Sequence, residues 1–228
     1  MTPIHQEEYK PGYELDRSAP IDLNYPIEFM RFTLIYDGPL PAQTVHDSRS
    51  DYKQKIRNQL HPQLAELWHT HPAIHKDFER WMEYDKRGDV DAIKNSTAIT
   101  TFERGKFRFL PLVTEAAYLV CELDILFLRQ EAKGSVVNQF GDLDNRLKVL
   151  FDALRMPDPN EIPPAITTLD NPFFCLLEND SLITSFRITS EKLLENYEAL
   201  NRSRVRLVIN VIVKVFRLTS GNMSMAGD

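Results

Sequence analysis

The sequence predicts a mixed α/β protein, a two-layer sandwich in which two main helices cover one face of a mixed sheet of about four strands. Runs rich in β-branched and aromatic residues alternate with two segments of helical periodicity. The 228 residues are 43% hydrophobic, which suits one decorated domain or two small ones. No internal repeat is visible.

Composition and charge also exclude several classes of protein. The formal net charge of −6 excludes a uniformly basic surface, although one basic face would still bind phosphates. Two cysteines are too few for a disulfide scaffold, and both lie in apolar runs, so we expect buried free thiols in a reducing compartment. No apolar run reaches about 18 residues, and the N-terminus does not resemble a secretory signal. We expect a soluble, cytoplasmic protein with no membrane partner.

The first part of the chain is expected to supply one strand and one helix. Residues 1–26 contain four prolines and few apolar residues, so we expect an irregular N-terminal arm. Residues 27–36 have strand composition and end at the turn Asp37-Gly38-Pro39. Helical spacing of apolar residues follows over 50–70, where Pro62 is expected to kink or divide the helix.

The highly charged segment 76–108 is interpreted as an insertion. It is expected to contain a short amphipathic helix that ends near Gly88, followed by a hairpin or a basic loop. A strand is predicted at 118–128, where apolar residues alternate with Glu122 and Asp124. These two acids either face solvent or contribute to an acidic site.

The second half of the chain is expected to supply a helix and two strands. Leucines recur at i, i+4, i+7 and i+11 over 142–155, which predicts a helix with one apolar stripe. Five prolines make 156–172 a loop. Residues 173–188 have strand composition, with an interruption near Asn179-Asp180, and the last strand is predicted at 204–218.

The predicted helix at 142–155 carries the residues that are candidates for a functional site. At 100° per residue, Asp144, Lys148 and Asp152 lie on one side, with Asn145 beside them and the leucines opposite. Asp142 is expected just before the first turn, where a carboxylate can cap exposed N–H groups. One interpretation is a solvated face with an Asp144–Lys148 ion pair, worth about 0.2–0.5 kcal/mol.

The other interpretation is a metal site. Two aspartates one residue apart place hard oxygen ligands near one cation, which suits Mg²⁺. Asp180 interrupts an apolar strand, where a carboxylate is costly unless it is paired, metal-bound or at the sheet edge. If Asp180 lies beside the helix entrance, three carboxylates and Lys148 converge. Such a cluster suits phosphodiester hydrolysis, because a metal activates water and a lysine stabilises the developing charge.

The segment DLDNRLKVLFDAL followed by NDSLI resembles the paired motif of the RusA-type Holliday-junction resolvases. In that family an Asp-x-Asp-Asn-x-x-Lys-x-x-x-Asp helix precedes an Asp-Asp-x-Gln strand, and the similarity extends over residues 27–218. The resemblance implies a Mg²⁺-dependent endodeoxyribonuclease, with Mn²⁺ as a substitute, that acts as a homodimer on branched DNA. The implied metal ligands and catalytic acids are Asp142, Asp144 and Asp180, the implied catalytic lysine is Lys148, and the supporting residues are Asn145 and Asp152.

The sequence departs from this motif in identifiable places. Asn179 replaces the first acid of the strand pair, Leu182 replaces the glutamine, and the loop between the two motifs is longer. The predicted organisation is therefore an arm, a RusA-like nuclease domain over 27–218 and a disordered tail over 219–228. The alternative is a catalytically inactive protein of the same fold that binds DNA or another protein.

Basic residues alternate along two predicted strands. Such stripes either follow a phosphate backbone, with neighbouring aromatics stacking on bases, or serve solubility alone. The predicted DNA-binding residues are Arg104, Lys106, Arg108, Arg146, Arg202, Arg204 and Arg206.

Overall fold

The computed structural model describes residues 20–42, 49–96, 98–130, 140–162, 169–195, 204–219 and 222–223. Its elements are β1 (Ile21–Pro39), α1 (Ser50–Thr70), α2 (His75–Arg87), α3 (Val90–Ser96), β2 (Phe102–Arg104), β3 (Phe107–Val113), β4 (Leu119–Arg129), α4 (Phe140–Leu154), β5 (Phe173–Leu177), β6 (Ile183–Lys192) and β7 (Arg204–Leu218). Two short 3₁₀ turns, Pro159–Glu161 and Asp180–Leu182, precede β5 and β6. The predicted mixed α/β class is confirmed.

The main sheet has four strands in the order β1-β7-β4-β6. β7 is antiparallel to both of its neighbours, whereas β4 and β6 are parallel and are therefore joined by a crossover that contains α4. Every second residue of β4 and β7 is buried, and these side chains form one core with the apolar faces of α1, α2 and α4. The intervening residues are half-exposed, so the helices cover one face of this sheet, as predicted.

A second sheet of three strands, in the order β2-β3-β5, was not part of the prediction. β2 and β3 form the expected hairpin, and β5 joins β3 in parallel. The strand predicted at 173–188 is thus two strands in different sheets. The chain leaves β5 and turns at Asn179, whose side chain accepts a hydrogen bond from the Ser181 amide and caps the 3₁₀ turn before β6.

The first half of the chain differs from prediction in two places. β1 begins at Ile21, inside the predicted arm, because an edge strand tolerates Pro26 at a register shift between Asp22 and Ile27. α1 continues through Pro62 without dividing, and Pro62 lies on its exposed side. α2 ends as predicted at Gly88, which adopts a left-handed conformation with φ of 69°.

Some predictions lie outside the described residues. They concern residues 1–19 of the arm, most of the loop around 163–168, and most of the tail. Among the described residues, no helix combines the length and the apolar character needed to cross a bilayer.

Candidate functional site

The beginning of α4 is held at the edge of the main sheet where β4 and β6 end. Arg146 is buried in the second turn of α4, and its Nη1 donates a hydrogen bond to the carbonyl oxygen of Leu40 over 3.1 Å. Leu40 directly follows β1, whose end pairs with the beginning of β7, which in turn pairs with the end of β4. Ligand sites in α/β sheets commonly lie at this edge, where parallel strands end.

The end of α4 lies towards the opposite edge. Arg155, which follows α4, bridges Leu177 at the end of β5, and the Met156 amide donates to the Leu177 carbonyl over 2.8 Å. The Glu178 amide then donates to the carbonyl of Val113, at the end of β3 and shortly before β4 begins. α4 therefore runs antiparallel to β4 and β6.

Asp144 and Lys148 lie one helical turn apart on α4, and both are exposed. Within the described part of the chain, neither side chain has a hydrogen-bond or ion-pair partner, so the alternative Asp144–Lys148 ion pair is not formed. Asp142 lies inside the first turn of α4 and not before it, and its side chain is outside the described residues. Two of the predicted catalytic groups thus lie, with no partner among the described residues, at the sheet edge where ligands commonly bind.

Asp180 belongs to the other edge of the sheet. It is exposed and lies three residues before Ile183, which pairs with Cys121 near the beginning of β4. Asp144 lies towards the end of β4, at Arg129, and the strand from Cys121 to Arg129 spans about 26 Å at 3.3 Å per residue. The predicted convergence of Asp180 and Asp144 within one chain is therefore not found. Among the described residues, no three His, Cys, Asp or Glu side chains form a group that suits a metal ion.

Asp152 has a structural contact. Its carboxylate lies 2.7 Å from the ammonium of Lys53, a residue of α1 that is only 2% exposed. Lys53 also contacts Glu161, which in turn pairs with Arg155 and Arg57. Asp152, expected as a supporting residue, is therefore a structural acid that ties α4 to α1. Asn145 is half-buried beside this face.

Most of the predicted DNA-binding residues already have protein partners. Arg146 is buried against Leu40, as described above, and is not available to a phosphate. Arg204 and Arg206 both bind the carboxylate of Asp37, and these arginines hold the pKa of Asp37 below its usual value in spite of partial burial. Arg206 also contacts Glu195, so both arginines of the predicted basic stripe of β7 are already paired with acids. Arg202 lies outside the described residues.

The basic stripe on the β2–β3 hairpin is only partly available to bind DNA. Arg108 forms a bidentate pair with Asp85 over 2.6 and 2.9 Å, and its guanidinium lies 5.6 Å from the centroid of the Trp81 ring. Arg104 donates to the backbone of its own strand, whereas Lys106 is exposed at the hairpin turn. Of the three, Lys106 has its charge most open to solvent.

Sequence reasoning did not anticipate an aromatic cavity of about 510 Å³ between α2 and the second sheet. Its lining includes Phe78, Trp81, Met82 and Phe174, with Arg108 at its rim. The i, i+3 spacing of Phe78 and Trp81 was the available signal, but that spacing is typical of any buried helix face. The cavity lies apart from the exposed charges of α4.

Scans against protein-family models, curated proteins and solved structures find no match to this chain. The functional assignment therefore rests on the residues and their geometry. Within one chain, the arrangement offers two exposed charges at the beginning of α4 and a separate exposed acid, Asp180, at the opposite edge.

Proposed function

We propose that this protein is a metal-dependent endonuclease that hydrolyses phosphodiester bonds in branched or otherwise structured DNA, similar to the RusA-type resolvases. The observation that carries the proposal is the exposed pair Asp144 and Lys148, which have no partner among the described residues and lie one turn apart where two parallel strands end. Both charges are exposed and neither contacts another described residue, so both are accessible to a metal ion and to a phosphate.

The donor chemistry at the beginning of α4 suits Mg²⁺. Proteins bind Mg²⁺ through one or two carboxylates, completed by water and substrate phosphates, and Asp142 and Asp144 would supply these carboxylates. A bound ion would polarise the scissile phosphate and activate a water molecule, and Mn²⁺ would serve in its place. Lys148 would stabilise the negative charge that develops on the phosphate.

The test is cleavage of branched and linear DNA in the presence of Mg²⁺. We expect Asp144→Asn and Lys148→Met each to lower the cleavage rate about 100-fold, because the first removes a metal ligand and the second removes the positive charge that stabilises the reacting phosphate. Glu79→Gln is the matched control, since Glu79 is an exposed carboxylate on α2, and it should retain the wild-type rate. Equal rates in Asp144→Asn and wild type, or no cleavage by wild type with either metal, would remove the proposal.

A second candidate is a DNA-binding or protein-binding module without catalytic activity. It is favoured by the separation of Asp180 from Asp144 and would keep the same fold. Calorimetric titration with Mn²⁺ that shows no binding, together with salt-sensitive DNA binding, would support this module over the nuclease.

A further inference from the structure

The aromatic cavity between α2 and the second sheet is not used by the proposed function. Its volume of about 510 Å³ lies within the range of small-molecule sites. Phe78, Trp81 and Phe174 form its apolar wall, and all three rings are buried. The helix α2 belongs to the segment 76–108, which is interpreted as an insertion, so the resemblance implies nothing about this cavity.

The rim of the cavity holds a carboxylate in a fixed position. The side chain of Asp170 is 78% exposed, yet its Oδ2 lies 2.9 Å from Nε2 of His61. The Phe174 amide donates to Nδ1 of this histidine over 2.9 Å, so Nε2 carries the proton that faces Asp170. His61 is itself buried, with its ring stacked on Phe173. A histidine of the protein interior therefore orients an exposed carboxylate.

The next residue supplies a fixed hydrogen-bond donor. Nε of Arg108 donates to Oδ1 of Asn171 over 3.0 Å. Because a guanidinium group only donates, this contact identifies the oxygen of the amide, and the N–H groups of Nδ2 remain available to another acceptor. Arg108 is held in turn by both carboxylate oxygens of Asp85. Among the described residues, neither Nδ2 of Asn171 nor Oδ1 of Asp170 has a partner.

The charges around the cavity favour a neutral ligand. Asp85 and Arg108 neutralise each other, and the exposed Lys86 balances the exposed Asp170. A cationic ligand is disfavoured because the guanidinium of Arg108 already lies over the ring of Trp81. An anionic ligand would meet the carboxylate of Asp170. The cavity therefore suits an uncharged planar group that both donates and accepts hydrogen bonds.

We propose that this cavity binds a guanine base, whose Watson–Crick edge contacts Asp170 and Asn171. That edge presents one acceptor, O6, beside two donors, N1–H and the N2 amino group. A carboxylate accepts two parallel N–H bonds, so Asp170 accepts from N1 and N2 while Nδ2 of Asn171 donates to O6. Adenine, cytosine and thymine each offer a single donor group on this edge and leave the carboxylate less well satisfied. The base belongs either to a free nucleoside or to an unpaired stretch of DNA.

The first test is isothermal titration calorimetry of the full chain with guanosine, without metal. We expect guanosine to bind about 10-fold more tightly than inosine, which lacks the N2 amino group, and adenosine to bind no better than inosine. Asp170→Asn should abolish the preference for guanosine over inosine, because an amide replaces one acceptor oxygen with a donor. Glu79→Gln, which changes an exposed carboxylate of α2 outside the cavity lining, is the control and should keep the preference.

Asn171→Ala tests the donor separately. Guanosine and inosine both carry O6, so this variant should weaken the binding of both about 5-fold and leave their ratio unchanged. Adenosine lacks O6 and should bind as it does to wild type. Far-UV circular dichroism checks that both variants are folded. A loss of affinity for guanosine alone would contradict the contact between Asn171 and O6.

The trinucleotide dT-dG-dT separates the two sources of the base. Binding at least as tight as that of guanosine, and tighter than that of dT-dA-dT, assigns the cavity to an unpaired base of a DNA strand, whereas weaker binding assigns it to a free nucleoside. No binding of guanosine or of the trinucleotide, equal binding of guanosine and inosine to wild type, or a preference that survives Asp170→Asn overturns the proposal. None of these measurements depends on DNA cleavage, so failure of the proposed nuclease function leaves this inference unaffected.

Discussion

Glu161 is the acid on which a buried ion network depends. Burial by itself would raise the pKa of Glu161, but Arg155, Arg57 and Lys53 outweigh that effect and lower the pKa below its ordinary value of 4.5. Lys53 and Arg57 are each only 2% exposed, so removal of Glu161 leaves buried positive charge that Asp152, which contacts Lys53, compensates only in part. Breaking a buried ion pair is much more costly than breaking an exposed one.

We expect Glu161→Gln to lower the free energy of unfolding at pH 7 by about 3 kcal/mol. Asp158 contacts the same Arg155, but its side chain is 59% exposed, so Asp158→Asn should cost less than about 0.5 kcal/mol. Urea denaturation followed by circular dichroism measures both changes. Similar losses of unfolding free energy in the two variants would show that burial does not determine how strongly an ion pair of this network stabilises the fold.

The contribution of Glu161 should also depend on pH. Because the pKa of Glu161 is lower in the folded protein than in the unfolded chain, its stabilisation is complete above about pH 4.5 and is lost as the pH falls through the folded-state pKa. The stability difference between wild type and Glu161→Gln should therefore shrink between pH 7 and about pH 3. An unchanged difference at low pH would contradict the assignment.

Helix α1 protects an edge strand as well as burying an apolar face. Its buried positions include Ile56, Leu60 and Leu64, while Gln59 and Gln63 lie on the side that faces β1. Each glutamine mimics a neighbouring strand, because an amide group offers one donor and one acceptor. The outer edge of β1 is thereby covered at Ile35 and Asp37.

We expect Gln63→Ala to destabilise the protein by about 1 kcal/mol through the loss of hydrogen bonds to Ile35. The amide of Ile35 should exchange with deuterium about 10-fold faster, while amides in the interior of β7 keep their protection. Glu66→Ala, an exposed position on the same helix, is the control. Unchanged exchange at Ile35 would show that the glutamine contact does not protect the strand.

Each of the two sheets contains one buried cysteine. Desolvation by burial raises the pKa of Cys121, in β4, and of Cys175, in β5, to about 12. Both thiols are therefore protonated and inaccessible in the folded protein. The reactivity of Cys121 therefore follows the unfolding of the main sheet, and the reactivity of Cys175 follows the unfolding of the second sheet.

We expect neither thiol to react with an aromatic disulfide reagent at pH 8 until the protein unfolds. If the sheets unfold together, the labelling of Cys121 and Cys175 should follow one urea transition, measured by mass spectrometry of the labelled peptides. Cys175→Ala and Cys121→Ala serve as single-site controls. Labelling of Cys175 at lower urea than Cys121 would show that the second sheet opens independently.

Local pattern was enough to predict several elements of this protein. The leucine stripe predicted the helix α4, the alternation of apolar residues over 204–218 predicted β7 with the same bounds, and Gly88 marked the end of α2. These features follow from side-chain periodicity and backbone preference over a few residues, so they can be inferred without knowledge of distant contacts.

The placement of the candidate site residues depends on contacts between segments that are distant in the sequence. The placement of Asp180 and Asp144 at opposite edges depends on the register of β6 with β4 and on the direction of α4. The pairing of Arg204 and Arg206 with Asp37 depends on the alignment of β7 with β1. No local pattern encodes which strands become neighbours, because strand pairing is decided by the burial of the entire core. The identity of the exposed charges was therefore evident from the residues, whereas their separation within one chain emerged only from the folded sheet.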